Sequence, residues 1–416
     1  MKARQLAVLL SLLLGFALAL PSAVCAASKD GAKPPPVSRS TYRSLERVQK
    51  LLGEGKFRES SKRLAEAMPK VEDNAYELAL LLRTQASAHI GLGNYKPAAA
   101  SLEKALATQG LPTESADRVE YELARLYMAL ERYAKASQLL SRWLEKTPTP
   151  PVEAYVLLGQ ALVQQTRWRE SVSPLRKAIR TSESPKESWY QLLLAAYYEL
   201  KDYKACKRLL TVMVKRYPNK ADYWRQLAGI HQLTGSYAQA LAVLELAYTR
   251  SLLSREDDLR NLGALYLQQE QPERAARVLA RALDDKVLPA EARYYKLLGD
   301  ARYLARDREG AVVALRRAAE LSGDGNTWLR LAQIAAADER WSEVVGAVRK
   351  ALRAKRIRRP GSAHMLLGIA LAELDDKAAA EKALARAVEY PEMRKQAESW
   401  LAYLRQEMQA QITHKE

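Results

Sequence analysis

The chain has 416 residues, of which 48% are hydrophobic and 27% are charged. That composition is ample for a sizeable hydrophobic core, and a chain of this length ordinarily has two or three domains. The formal net charge of +18 suits an anionic partner, and nucleic acid has to be considered first.

The N-terminus has the layout of a secretory signal peptide. Two positive charges, Lys2 and Arg4, precede a continuous apolar run over residues 6–20, and small residues follow it. The run is shorter than the ~20 apolar residues that a membrane-spanning helix needs. We therefore predict a signal peptide over residues 1–26, cleaved after Ala26, and a periplasmic location for the mature chain.

A second interpretation of the same segment stays open. Cys25 would carry the lipid of a bacterial lipoprotein, although Ser22 and Val24 stand at the third and first positions before it. Export of either kind argues against a nucleic-acid partner. Acidic protein surfaces or anionic envelope polymers then account better for the basic composition.

The next segment, residues 27–40, is polar and proline-rich and is predicted to be an extended tether. From Thr41 to about Gln411 the sequence predicts helix almost throughout, because no alternating apolar pattern bounded by hairpin signals occurs. A helical chain of this length invites a search for internal repeats.

Ten copies of a short pattern run through the helical region. Each copy has a small residue, usually a leucine four positions later, and usually another small residue three positions after that. The partner four positions later is leucine in nine copies and Val348 in the tenth. The first residues of the ten copies lie 33 to 38 positions apart; they are Ser60, Ala98, Ala136, Ser171, Cys206, Ala240, Ala275, Ala311, Val344 and Ala380.

A second small residue stands twelve positions before the first in eight copies. These residues are Ala86, Ala124, Gly159, Ala228, Gly263, Gly299, Ala332 and Gly368. Small residues on two helices let the backbones approach closely, so the pattern predicts a repeated helix–turn–helix unit.

The stretch DYWRQLAGIHQLTGSYAQALAVLELA, residues 222–247, resembles the tetratricopeptide repeat nearly point for point. The resemblance extends over residues 41–390. It implies an all-α fold, a right-handed α-solenoid of about ten such repeats, in which the first helix of each repeat lines the concave face. Residues 391–416 are then expected to form a capping helix and a tail.

The sequence offers little sign of catalysis. Cys206 lies beside Lys204 and Lys207, which would fit an activated thiolate, but its place in the repeat predicts a small buried side chain. His89, His231, His364 and His414 do not have metal-ligand spacing. No catalytic or phosphate-binding motif is present, so we predict a protein that is not an enzyme and has no cofactor and no metal.

The concave face is the predicted binding site for a protein. Residues one helical stripe away from the packing position should face it, and arginine and tyrosine are common anchors of protein interfaces. The predicted binding residues are Arg83, Tyr121, Arg125, Gln160, Gln191, Tyr198, Arg225, Gln232, Arg260, Gln268, Lys296, Tyr303 and Gln333.

A basic segment, RAKRIRR over residues 353–359, has two interpretations. It is either a solvated loop between repeats or a contact for an acidic partner or for anionic lipid head groups. The residues concerned are Arg353, Lys355, Arg356, Arg358 and Arg359.

Longer phrases suggest a narrower group. Three stretches resemble exported tetratricopeptide proteins of Gram-negative TonB–ExbB–ExbD energy-transduction systems: STYRSLERVQKLLGEGKFRES (40–60), ESWYQLLLAAYYELKDYKACKRLL (187–210) and MVKRYPNKADYWRQLAGIHQLTGSYAQALAVLELAY (213–248). The resemblance implies a periplasmic accessory that binds a TonB, ExbB or ExbD component or an outer-membrane receptor. The alternative is a scaffold for polysaccharide export or outer-membrane assembly.

Overall fold

The computed structural model describes residues 35–354 and 356–413. Over these residues it contains 21 α-helices and one short 3₁₀ helix, Met68–Val71, and no β-strand. The predicted signal peptide, Cys25, residues 27–34 of the predicted tether, Lys355 and His414 lie outside the described residues.

The chain divides into two compact units, residues 1–209 and 210–416. The described helices that lie wholly in the first unit are α1 Arg39–Gly53, α2 Phe57–Ala67, α3 Ala75–Gly91, α4 Tyr95–Ala107, α5 Thr113–Ala129, α6 Tyr133–Lys146, α7 Val152–Gln164, α8 Trp168–Thr181 and α9 Glu187–Glu199.

The next helix, α10, contains the division between the two units and extends over Tyr203–Arg216. The described helices of the second unit are α11 Ala221–Leu233, α12 Tyr237–Thr249, α13 Glu256–Gln268, α14 Pro272–Asp284, α15 Ala292–Leu304, α16 Arg308–Ser322, α17 Gly325–Ala337, α18 Trp341–Arg353, α19 Pro360–Glu373, α20 Lys377–Val388 and α21 Arg394–Thr413.

Each unit is a row of helix pairs in which consecutive helices pack against one another, from α1 to α9 in the first unit and from α11 to α21 in the second. The odd-numbered helices from α1 to α19 are the first helices of the ten pairs, and the even-numbered helices are the second helices. This consecutive packing is that of an α-solenoid. The predicted all-α fold built from ten helix pairs is confirmed.

The turn inside each pair has the same backbone geometry in all ten pairs. The residue five positions before the first small residue of each copy has a left-handed backbone, with φ between 55° and 73°. The next residue donates its amide hydrogen to the carbonyl five positions earlier, as Arg132 does to Tyr127 at 2.8 Å. That is a Schellman cap, which satisfies the last carbonyls of the first helix.

Only three of these ten left-handed positions hold glycine: Gly55, Gly93 and Gly235. The other seven carry side chains, and a left-handed conformation costs such residues roughly 1–2 kcal/mol. They are Glu131, Thr166, Lys201, Glu270, Arg306, Glu339 and Asp375.

Close packing inside each pair joins the small residue of the first helix to the leucine of the second. A Cβ added to Gly299 would lie 2.6 Å from Cγ of Leu315, and one added to Gly263 would lie 2.8 Å from a methyl carbon of Leu279. Both leucines are fully buried. The two backbones therefore approach as closely as the glycines permit.

The last helix, α21, packs against α20 and covers the end of the second unit. Ala397, Leu401 and Leu404 are buried in the core, whereas Tyr403 is 61% exposed. A terminal helix with one apolar and one polar side is what a repeat array needs at its end.

We expect Leu279→Ala to lower the free energy of unfolding by about 2–5 kcal/mol, because the side chain is fully buried and its loss leaves a cavity. Leu304→Ala is the matched control, since this leucine is 59% exposed, and its effect should stay within about 0.5 kcal/mol. Urea unfolding followed by far-ultraviolet circular dichroism measures both. Equal effects of the two variants would contradict the packing described.

Candidate protein-binding surface

The first helices of successive pairs contact one another directly as well as through the second helices. Such contacts join α1 to α3, α5 to α7 and α7 to α9 in the first unit, and α17 to α19 in the second. Hydrogen bonds join α1 to α3 in the same way, because the Glu77 carboxylate accepts from Ser38 and from Thr41. First helices of neighbouring pairs are thus joined directly at these places in both units.

We call the thirteen predicted binding residues the first-helix face. All of them lie on first helices, and each is half-buried or exposed rather than buried. The face is therefore open to solvent in both units. The residues of the face differ in the contacts that their side chains make with neighbouring side chains.

In the first unit, two residues of the face make contacts that stabilise the fold. Arg83 forms an ion pair with Glu122 of the next first helix, at 3.1 Å. Tyr121 stacks on Trp143 with ring centroids 4.8 Å apart, and burial raises the pKa of its hydroxyl. These two half-buried side chains therefore help to hold neighbouring helices together.

The other four residues of the face in the first unit differ in their exposure. Arg125 is exposed, whereas Gln160 and Gln191 are half-buried. Tyr198 is 41% exposed and packs edge-to-face against Tyr203 at 6.3 Å.

In the second unit, Arg225 is the most constrained member of the face. Its guanidinium donates two hydrogen bonds to the Asp258 carboxylate, at 2.7 and 2.8 Å, and one to Asp222 at 2.7 Å. Hydrogen bonding to Asp258, which is only 6% exposed, raises the pKa of Arg225. Gln232 likewise donates to Asn261 at 2.9 Å. Both contacts join α11 to α13.

The remaining residues of the face, on α13, α15 and α17, are the most accessible. Gln268, Lys296 and Gln333 are exposed, and so is Arg260, which pairs with Asp257 at 2.7 Å. Tyr303 is 41% exposed.

Sequence reasoning missed two residues that belong to this surface, Asp300 and Arg330. They form an ion pair between α15 and α17 at 3.0 Å, and the Arg330 guanidinium lies 5.7 Å from the ring centroid of Tyr303. Burial raises the pKa of Asp300. Asp300 follows the small residue Gly299 directly, as the predicted Gln160 and Gln333 follow theirs, and that register was the available signal.

Cys206 is a buried side chain and not a reactive thiol. It has no exposed surface, and burial, with a smaller contribution from the charge of Asp202, raises the pKa of the thiol to about 11. A reactive cysteine needs the opposite shift and access to solvent. The interpretation of Cys206 as a small packing residue is confirmed.

The three described histidines are half-buried at their positions in the repeat. Burial lowers the pKa of both His89 and His364, which favours the neutral imidazole. Within residues 35–354 and 356–413, no group of three or more histidine, cysteine, aspartate or glutamate side chains is arranged to hold a metal ion. Over the same residues, no helix has both the length and the apolar character needed to cross a bilayer.

Tetratricopeptide-repeat family profiles match residues 89–155 in the first unit and residues 260–326 in the second. The chain therefore contains tetratricopeptide repeats in both units. Arrays of such repeats offer extended surfaces for binding other proteins, and this fold supports a scaffold for protein–protein interaction. No curated protein matches the sequence.

Several solved structures resemble the chain. A tetratricopeptide repeat protein from Parabacteroides merdae is 16% identical, covers 68% of this chain and 94% of its own length, and has a TM-score of 0.37. YrrB, described as having an unusual peptide-binding site, is 17% identical over 45% of this chain and 95% of its own, with a TM-score of 0.37. The Cut9–Hcn1 assembly is 14% identical over 88% and 84%, with a TM-score of 0.29. Likenesses this low carry no functional information.

We expect the Cys206 thiol to react very slowly with a chromogenic disulfide reagent in the folded protein. With a pKa of about 11, roughly one thiol in a thousand is ionised at pH 8, and burial blocks access to it. Unfolding in urea should restore rapid labelling. The measurement uses a chain with Cys25→Ser.

The control for the labelling is a Ser173→Cys variant in a chain that also carries Cys25→Ser and Cys206→Ser. Ser173 is exposed on α8, so this thiol should react at the rate of a small thiol. Rapid labelling of Cys206 in the folded chain would contradict the burial described.

Proposed function

We propose that the protein is a periplasmic scaffold that holds a protein partner of a TonB-type energy-transduction system against its first-helix face. One observation supports the choice of this binding surface: accessible arginine, lysine, glutamine and tyrosine side chains lie on the first helices of both units. Arginine and tyrosine supply much of the binding energy at protein interfaces.

The second unit contains the better-supported candidate surface. Gln268, Lys296, Tyr303 and Gln333 are accessible on three successive first helices, while the Asp300–Arg330 ion pair beside them holds α15 against α17. An extended partner would lie across these helices and hydrogen-bond to the amide and phenol groups. A stable complex buries about 1,200–2,000 Å² in total, which requires contact with several helices.

The location rests on the N-terminal sequence. Lys2 and Arg4, the apolar run over residues 6–20 and the small residues up to Ala26 have the order of a signal peptide. The TonB-type association rests on the resemblance of residues 40–60, 187–210 and 213–248 to exported tetratricopeptide proteins of those systems.

The location is tested by expressing the full chain in a Gram-negative host and measuring the intact mass of the product. We expect release by osmotic shock and a mature chain beginning at Ala27. A chain that keeps residues 1–26 and stays in the cytoplasm would overturn the proposed location. A mature chain that begins at Cys25 and carries a lipid there would contradict cleavage after Ala26 and support the lipoprotein interpretation.

Binding to the first-helix face is tested with a photo-crosslinking amino acid placed at Gln268 or at Gln333. The matched controls are Gln239 and Gln138, which are exposed glutamines on the second helices α12 and α6. After irradiation of intact cells, mass spectrometry identifies the crosslinked proteins. We expect adducts from Gln268 and Gln333, with a TonB, ExbB or ExbD component or an outer-membrane receptor, and far fewer from the controls.

Two results would overturn parts of the proposal separately. Equal crosslinking from all four positions would remove the first-helix face as the binding surface. Specific crosslinking to components of polysaccharide export or outer-membrane assembly would keep the surface and replace the TonB-type partner.

A further inference from the structure

Basic charge is distributed unequally between the two sets of helices. The ten first helices contain 13 Lys and Arg against 15 Asp and Glu, whereas the ten second helices contain 29 against 12. The net formal charge is therefore −2 on the first helices and +17 on the second helices. The ten first helices, taken together, are close to neutral.

The largest uninterrupted block of positive charge lies at the end of α18 and in the loop after it. Residues 344–372 contain seven Lys and Arg and no Asp or Glu. We call the six described members the basic cluster, and all six are exposed; they are Arg349, Lys350, Arg353, Arg356, Arg358 and Arg359.

The loop that carries three members of the cluster is fixed to the start of α17. Arg358 donates its backbone amide hydrogen to the side chain of Asn326 at 2.8 Å, and the carbonyl of Arg356 accepts from the amide of Gly325 at 3.1 Å. Ile357, between them, packs against the core. The backbone is thus held by contacts that do not use the arginine side chains.

Gly325 makes this attachment possible. A Cβ at this position would lie 2.8 Å from the carbonyl oxygens of both Ala351 and Arg356, so no other residue fits without displacing the loop. Asp324, which caps α17 beside the loop, already accepts from Thr327 and Asn326. The Asp324 carboxylate therefore forms its hydrogen bonds with the first residues of α17.

No Asp or Glu among residues 35–354 and 356–413 forms an ion pair with any member of the basic cluster. Elsewhere in the same unit, exposed arginines do have acidic neighbours. Arg281 pairs with Asp285 at 3.4 Å, Arg308 with Asp338 at 2.7 Å and Arg386 with Glu389 at 3.0 Å. The cluster is therefore an ordered concentration of charge without carboxylate partners, in which the Lys350 ammonium lies 4.5 Å from the ring centroid of Trp328.

We propose that the basic cluster docks the protein on an anionic membrane surface, by binding the phosphate groups of several lipids at once. Guanidinium groups match phosphate oxygens in geometry and charge, and clusters of four to eight Lys and Arg are typical of peripheral binding to anionic bilayers. The proposal is independent of what the first-helix face holds.

The surroundings of the cluster favour a membrane over an acidic protein. Its only large apolar residues, Leu352 and Ile357, are half-buried and packed against the core, so the cluster lacks the apolar centre that protein interfaces have. Charge spread over a helix end and a loop suits many mobile anions rather than one shaped partner. Binding of this kind should be purely electrostatic and reversible by salt.

The test measures co-sedimentation of the full chain with vesicles of phosphatidylcholine alone and with vesicles that also contain phosphatidylglycerol. The phosphatidylcholine vesicles report any insertion of the apolar run over residues 6–20, so the quantity compared is the difference between the two vesicle types. We expect tighter binding to the anionic vesicles, and this difference should disappear in 1 M salt, where the Debye length is about 3 Å.

The decisive variant carries Arg356→Ser, Arg358→Ser and Arg359→Ser, which leave the backbone attachments of the loop in place. At roughly fivefold per basic residue, it should bind the anionic vesicles about 100-fold more weakly. The control carries Arg281→Ser, Arg308→Ser and Arg386→Ser, which lower the net charge of the same unit by the same amount. Circular dichroism checks that both variants are folded.

Three results would overturn the proposal. One is equal binding of the wild-type chain to both vesicle types. Another is an equal loss of binding in the two triple variants, since that would mean that net charge and not the cluster is responsible. The third is complete displacement from the vesicles by polyglutamate at the same concentration of negative charge, which would assign the cluster to an acidic protein.

Discussion

Close contact between a small residue on the first helix of most pairs and a leucine on the second helix determines most of the architecture. Where the small residue is Gly299 or Gly263, the leucine occupies the space that a Cβ would take. That approach sets the distance between the helices and aligns them in one register. Repeated along each unit, it decides which side chains are buried and which two faces are left for solvent and for partners.

The two faces then acquire different properties. First helices contact one another and are joined by polar pairs such as Arg225–Asp258 and Asp300–Arg330. These pairs are partly shielded and hold successive repeats together while leaving other polar groups accessible. Second helices carry the excess of lysine and arginine, which suits contact with an anionic surface. We propose that the first-helix face holds a protein and that the basic cluster at the end of α18 binds a membrane surface.

The candidate site was predictable only in part. The register of the repeat correctly placed all thirteen residues of the first-helix face on first helices and out of the core. It gave no information on their partners, because Arg225 and Asp258 are 33 residues apart and only the stacking of α11 and α13 brings them together. The same holds for Tyr121 and Trp143, whose stacking uses part of the face for the fold itself.

The sequence by itself determined that the protein is helical, that it repeats ten times and that Cys206 occupies a packing position, because small residues and leucines at constant spacing can bury their surface in only one way. Tertiary structure decided the rest. Glycine marks only three of the ten left-handed turns, and at the other seven the packing of the two helices imposes a conformation that Glu131 or Lys201 does not prefer. The tertiary structure also decided which arginines form ion pairs with a carboxylate and which, in the basic cluster, do not. Ion pairs between helices depend on distances that spacing along the chain does not specify.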